Sequence, residues 1–493
     1  MPSVEQTSRR NNVLTDVLKF AVNHIMHLDK HNQYWQTDDP GPFTMKDKII
    51  LETSLLVYLL HRDHGRERRI SRQCHKLLTL LSGHVSDAKT KATIHKNPHL
   101  SYVLGLSYIC LSKMGYKDPD YAFLLERVSR LQKYNLKERL PFRQLDIDWV
   151  QQLHHPSKTP LKKGDFSILN AKTFPAYMER MDAYAVTHAI MYLSDFGRSY
   201  GCLRREVDLA QLYRVLDAAL TWCLLYEDLD LISELLLSYF YCRIRASPKV
   251  IMAYELLLGY WKKMSFLPSP TFVYDKYERL PKEEQRAYYY HHVYHTTYVF
   301  ALCVSAKQQY DGIRRKMDYH KWTSGAKDFA VAGAMTTAAA NRVAAFLSEQ
   351  YGLTEADMSL SPDLFRVDDL EATLLQTWSE LQPNGMFLQA MQTKFAGGDH
   401  RLAIAFESMV IYTIREYRLE DLVRVLCLAA VNAPELVDHY VFREAIAFLL
   451  VQQTDAGAIG TYFYEKKNLS VNRAATIAYH CKVIFLLSGL GLG

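Results

Sequence analysis

The sequence predicts an all-α protein, and three observations lead there. Apolar residues recur at helical spacing along nearly the whole chain. No stretch sustains apolar–polar alternation with β-branched enrichment, so no long strand is expected, and only "DFSILN" (165–170) and "PTFVY" (270–274) are short strand candidates. Proline and glycine fall where helices begin and end. Helical periodicity covers 12–30, 45–61, 67–83, 98–114 and 119–134, where Asp118-Pro119-Asp120 opens the last of these. It resumes at 179–196, 206–226, 229–245, 248–265 and 283–308, with Ser247-Pro248 opening a helix and Gly197 closing another. The C-terminal part continues it at 327–350, 363–381, 399–417, 419–431, 435–452 and 472–488, with Gly352 in a C-cap position. Irregular connectors occupy 156–178, 266–282 and 308–326. Connectors of that length in compact protein often carry function.

The 493 residues are 49% hydrophobic and 23% charged, an ordinary globular composition with ample chain for a large core. Length alone suggests two to four domains or one large helical body. The division expected is 1–97, an N-terminal helical segment; 98–310, a central helical domain; and 311–493, a C-terminal helical region. "LQPNGMF" (381–387) and "QQTDAGAIGTYF" (452–463) each turn through glycine after a helix that ends in glutamine. That likeness to the inter-helix turns of α/α toroids suggests helical hairpins arranged as a toroid or a repeat-like array.

Charge and motifs exclude several function classes. A net charge of +6, from 59 basic and 53 acidic residues, is mild for this length, and the basic run "HRDHGRERRI" (61–70) reads as a solvated helix start. No nucleic-acid partner is expected. Eight scattered cysteines, none in C-x-x-C, read as reduced core residues of a cytoplasmic protein. The first residues lack a signal-peptide core, and no apolar run approaches the roughly 18 residues of a membrane span. Dinucleotide and P-loop glycine motifs are absent, as is the G-x-S-x-G elbow. The D-D-x-x-D signature of terpene synthases is missing too, because "VDDLEAT" (367–373) lacks its downstream acid.

Three helices concentrate ionisable groups among apolar ones. In "MDAYAVTHAIMYLSDFG" (181–197), Tyr184, His188 and Asp195 fall on one face if the helix runs through them. A carboxylate at a helix C-terminus opposes the dipole and calls for a compensating partner such as Arg198. His188 with Asp195 reads as a general base and its partner, or as a packing network. In "YEDLDLISELLLSYFYC" (226–242), Asp228 suits an N-cap and Asp230 the first turn. Glu234 lies mid-helix among leucines, either facing a cavity as an acid, base or ligand, or solvated at the edge of the apolar stripe. In "YYYHHVYHTTYVFALC" (288–303), His291 and His295 stand at i, i+4, a spacing that can hold one metal with a third ligand such as His188 or Glu234; otherwise the helix is an aromatic wall. His24, His27 and His31 share a face read as solvated or docking surface, and His61/His64 and His154/His155 are read the same way.

The helix carrying Asp182, Tyr184, Thr187, His188, Tyr192, Ser194, Asp195, Phe196 and Gly197, followed by Asp228, Asp230, Glu234, Leu235 and Leu236, resembles an uncharacterised all-helical bacterial family associated with specialised-metabolite gene clusters. The resemblance covers about residues 98–305. It implies an α/α-type helical fold and a biosynthetic role, and no particular reaction.

Two functions are therefore expected, in order. The first is a biosynthetic enzyme acting on a small metabolite in a Tyr- and His-lined cavity. Its catalytic candidates are His188, Asp195, Tyr184 and Glu234. Its metal candidates are His291, His295 and His188, with Fe, Cu, Mn or Zn as the ion. The second is a helical-repeat module that binds a peptide, a carrier protein or a partner subunit, including a second copy of itself. Convergence of these side chains on one place distinguishes the two.

Overall fold

The computed structural model describes residues 4–30, 43–130, 139–156, 168–171, 175–244, 246–313, 333–355, 362–381, 387–388, 390–391, 400–455 and a few positions between 457 and 485. Among them there are nineteen α-helices and no strand, so the all-α expectation holds. The first seven are α1 (Val4–Lys30), α2 (Met45–His64), α3 (Arg68–Val85), α4 (Ala88–Lys96), α5 (Ser101–Ser112), α6 (Pro119–Arg130) and α7 (Pro141–His154). The central group is α8 (Arg180–Leu193), α9 (Tyr200–Glu206), α10 (Leu209–Leu225), α11 (Leu229–Tyr241), α12 (Pro248–Met264), α13 (Tyr274–Arg279) and α14 (Lys282–Gly312). The last five are α15 (Gly333–Tyr351), α16 (Leu370–Leu381), α17 (Arg401–Arg415), α18 (Leu419–Asn432) and α19 (Tyr440–Gln452).

Local chemistry explains the helix ends. Thr44 and Asp47 form a reciprocal capping box at the start of α2. The Asp208, Asp228 and Ser247 side chains accept from backbone N–H groups at the starts of α10, α11 and α12. Neither strand candidate shows a strand among the described residues: 168–170 is a 3-10 turn, 165–167 lies outside the described residues, and 270–273 turns into α13 at Tyr274. The glycine turns at 381–387 and 452–463 and the helix at 472–488 fall mostly outside the described residues.

Helix α11 is the hub. All thirteen of its residues are buried, and it packs on α8, α10, α12 and α14. Helices α1 and α2 flank α14, α2 leans on α5, and α7 bridges α5 and α8. Helix α17 packs on α10, α16, α18 and α19. One apolar core runs through both groups, from Val13 in α1 to Leu449 in α19. The seven cysteines whose surroundings are described are free and buried. No described helix is long and apolar enough to cross a membrane.

A buried polar network joins the two groups. Lys249, in the first turn of α12, is fully buried. Its Nζ donates to Glu407 Oε2 at 2.7 Å, Thr221 Oγ1 at 2.7 Å and the Asp217 carbonyl at 3.2 Å, and pairs with Asp217 Oδ2 at 2.8 Å. Tyr440 OH donates to Glu407 Oε1 at 2.5 Å, and Tyr213 OH to Asp217 Oδ1 at 3.1 Å. Burial works against the Lys249 charge, but Asp217 and then Glu407 hold its pKa above the usual lysine range.

Helix α8 stops earlier than periodicity suggests. It ends at Leu193, and Asp195, Phe196 and Gly197 follow with φ of +46°, +48° and +85°. The Phe196 N–H bonds back to the Met191 carbonyl at 2.8 Å, and the Arg62 guanidinium donates to the Phe196 carbonyl at 3.1 Å. A Cβ at position 197 would lie 2.5 Å from a carbon of the Tyr241 ring. We therefore expect Gly197→Ala to lose about 1–3 kcal/mol through left-handed strain and the ring clash. A thermal melt within a degree of wild type would show that the turn relaxes.

Candidate metal centre

The site grows from two residues one helical turn apart. Asp230 and Glu234 are i, i+4 on α11, so both carboxylates leave the same face toward α8 and α14. Burying two acids in an apolar helix is costly unless every oxygen is answered. The neighbours supply hydroxyls. Tyr184 OH donates to Asp230 Oδ2 at 2.5 Å, and Thr296 Oγ1 to Asp230 Oδ1 at 2.9 Å. Thr187 Oγ1 donates to Glu234 Oε2 at 2.5 Å. Glu234 thus has one oxygen fixed by Thr187 and its Oε1 turned inward, whereas both Asp230 oxygens already accept a hydrogen bond, the inward Oδ1 from Thr296.

His295 of α14 faces those inward oxygens. Its Nδ1 pairs with Glu52 Oε2 of α2 at 2.8 Å. Its Nε2 lies 3.7 Å from Asp230 Oδ1 and 3.9 Å from Glu234 Oε1. One ligand atom each from Asp230, Glu234 and His295 falls within 4.8 Å of the others, a span a single cation can bridge. His188 of α8 approaches from the other side, with Nε2 at 3.8 Å from Glu234 Oε1. Its ring lies in a stack with Tyr184, Phe142 and Tyr192, at centroid distances of 5.9, 5.8 and 6.2 Å. Its Nδ1 has no hydrogen-bond partner among the described residues. The carboxylates are buried, whereas the His295 and His188 side chains keep 33% and 24% exposure, so solvent reaches the cluster from the imidazole side.

The electrostatics follow from this crowding. Burial, then the neighbouring Asp230, pushes Glu234 up to about 8. Burial opposes charge on His295, but Glu52 and then Asp230 raise it to about 10. Burial, then Arg143, pushes His188 down to about 4, so at neutral pH it is an uncharged imidazole with one N–H and one lone-pair nitrogen. Burial and Asp230 raise the Tyr184 phenol, which stays protonated and a donor.

The candidates from sequence divide between two places. Tyr184, His188, Glu234 and His295 come together. Glu234 is 1% exposed, so it faces the cluster rather than solvent. Asp195 does not join them. The seven-residue step from His188 shares a face only on a continuous helix, and α8 ends before it; Asp195 Oδ1 instead accepts from Trp149 Nε1 at 2.9 Å and lies 3.6 Å from Arg62. A His188–Asp195 dyad is therefore not formed. His291, one turn before His295, is exposed, stacks edge-on with His292 at 4.8 Å and stays outside the group of three. The i, i+4 histidine pair thus contributes one member, and the second carboxylate comes from α11. His24 and His27 are buried against Tyr290 rather than solvated, and His64 is buried on Ser305 at 2.8 Å. His31 lies outside the described residues.

Sequence reasoning missed Asp230 as a site residue, and Glu52 altogether. Both left a signal. Asp230 and Glu234 form a D-x-x-x-E pair on a helix of apolar neighbours, and Glu52 is an acid inside "KIILETSLLVYLL" (48–60). A carboxylate on the Nδ1 of a metal-facing histidine orients the ring, and losing it typically costs about 10–100-fold in metal affinity. We expect Glu52→Gln to weaken cation binding by about that factor; equal dissociation constants in a titration would remove Glu52 from the site.

The family model of the domain of unknown function DUF6895 matches residues 14–305. The chain belongs to the DUF6895 family. The matched region holds α2, α8, α11 and α14 as far as Ser305, so every residue of the cluster lies in the DUF6895 domain, whereas Glu407 and Tyr440 of the buried lysine network lie beyond it. Searches of curated proteins and of solved structures return no match.

Proposed function

We propose that this chain is an enzyme acting on a small metabolite at a divalent-cation site made by Asp230, Glu234 and His295, with His188 beside it. The observation that carries the reading is the placement of His295, with Nδ1 on Glu52 and Nε2 turned toward two carboxylates. That is the carboxylate–histidine–metal pattern of second-shell support. Two carboxylates and an imidazole suit Mn, Fe or Zn better than a soft-ligand metal. A bound cation would supply Lewis acidity or a polarised water. The chain's own groups do the rest: Thr187 and Tyr184 hold the outer oxygens, Thr296 steadies the inward Asp230 Oδ1, and uncharged His188 stands 3.8 Å from Glu234. The sequence resemblance suggests specialised metabolism as the setting. A cation-free acid–base enzyme is the second reading, favoured by the Glu234 acid near neutrality.

The test is turnover in an untargeted pool of small metabolites. The protein is stripped with chelator and reloaded with Mn, Fe or Zn. Consumption of a metabolite that needs the cation and is lost in Asp230→Ala supports the proposal. Consumption by stripped wild type but not by His188→Ala selects the cation-free reading. No change in the pool under either condition counts against an enzyme.

A further inference from the structure

A second feature of the fold has no role at the cation cluster. A cleft of about 350 Å³ opens between the C-terminal ends of α5 and α7 and the turn that follows α8. Tyr58, Trp149 and Leu153 give it an apolar base, and Lys113, Asp195 and Arg198 stand around it with Gln152. Lys113 and Arg198 are exposed and have no carboxylate partner among the described residues. Asp195 is already answered, by Trp149 Nε1 at 2.9 Å and by Arg62, which also pairs with Asp63 at 2.8 Å. The charge left over in the cleft is therefore positive.

The turn that delivers Asp195, Arg198 and Ser199 to this cleft is strained. Two successive non-glycine residues, one of them the bulky Phe196, adopt left-handed backbone before Gly197. Such conformations persist where the surroundings impose them and cluster at functional sites. Here the imposing group is Arg62, whose side chain is 5% exposed and whose guanidinium donates to the carbonyls of Asp195 at 3.3 Å and Phe196 at 3.1 Å. A strained turn held from behind by buried Arg62, an aromatic base and two cations without a carboxylate partner among the described residues thus meet at one opening.

We propose that this cleft binds a small organic anion, its apolar body against Trp149 and Tyr58 and its acidic group held by Lys113 and Arg198. Its volume is at the lower end of small-ligand pockets, which suits a compact aromatic compound. Carboxylate and phosphate share this chemistry. The ring of Tyr192, stacked with His188 and tilted against Trp149 of the cleft, links the cleft and the cation cluster. Anion binding here needs no cation, so its failure and the failure of the cation-site reading are separate results.

The experiment uses the full chain in chelator, with the aromatic anion 8-anilinonaphthalene-1-sulfonate as fluorescent probe and phenylacetate and phenyl phosphate as competitors. The expected result is one saturable site, weakened at least tenfold in Lys113→Glu/Arg198→Glu and displaced by at least one competitor. Both substitutions are at exposed positions, and circular dichroism checks that the variant is folded. Displacement by phenylacetate alone assigns a carboxylate ligand, and displacement by phenyl phosphate alone a phosphate. Absence of saturable binding, binding unchanged in the double variant, or displacement by neither competitor overturns the proposal.

Discussion

Lys249→Met is expected to destabilise the protein by about 3–5 kcal/mol, the cost typical of leaving buried charge without its partner. The lysine sits among Asp217, Glu407 and Thr221, all buried. Burial and then Glu407 push Asp217 up to about 6, so even with the lysine present this acid resists ionisation. Removing the ammonium leaves two acids that face each other with only hydroxyl donors and no cation between them. The effect should be measured by urea denaturation, following the transition that reports α10 and α17. A second variant separates charge from packing: Asp217→Leu/Lys249→Met/Glu407→Met replaces the network by apolar groups and should recover most of the loss. If Lys249→Met unfolds at the wild-type midpoint, the network does not hold α17 and α19 onto the DUF6895 domain.

Cation affinity should fall steeply on acidification. The sign follows from the two raised groups. With no cation present, Glu234 keeps its proton up to about pH 8 and His295 up to about pH 10. Metal ligands must be deprotonated, so a cation displaces both protons at neutral pH. Affinity then drops by about a hundredfold per pH unit below pH 8, where two protons compete, and by about tenfold per unit between 8 and 10, where one does. Titrations at pH 6.5, 7.5 and 8.5 with Mn or Zn read these slopes. A flat profile would mean that the cation, if bound, lies elsewhere. The same shifts act on the cation-free fold. His295 contributes stability below its unfolded pKa near 6.5 that is lost as pH rises through 10, and Glu234 favours the fold while protonated and loses that as pH rises through 8.

Much of the fold was legible because helix signals are local. The Ser247-Pro248 start, the Asp228 cap and the 3.6-residue spacing of α11 and α14 each act within a turn or two. Helix α7 was missed because Arg143, Gln144, Asp146 and Asp148 interrupt its apolar pattern, although Phe142, Leu145, Trp149 and Val150 keep the right spacing. The end of α8 lies three residues before the end its periodicity suggests, and that shift alone moves Asp195 from the histidine's face to the Arg62 side of the fold. The site was half legible. Glu234 and His295 stood out as ionisable groups in apolar helices, but their meeting with Glu52 depends on how α2, α11 and α14 pack, which no local pattern records. The His291–His295 spacing places both on one stripe of α14, yet only His295 meets the two carboxylates, since spacing shows which residues share a stripe and not which of them the facing helix reaches.

The most direct test of the central claim is calorimetric titration of chelator-treated protein with Mn or Zn at pH 7, in buffers of different ionisation enthalpy. We expect one cation per chain, release of close to two protons, and loss of that binding in both Asp230→Ala and His295→Ala. Binding that survives either substitution, or no saturable binding in wild type, would contradict that claim.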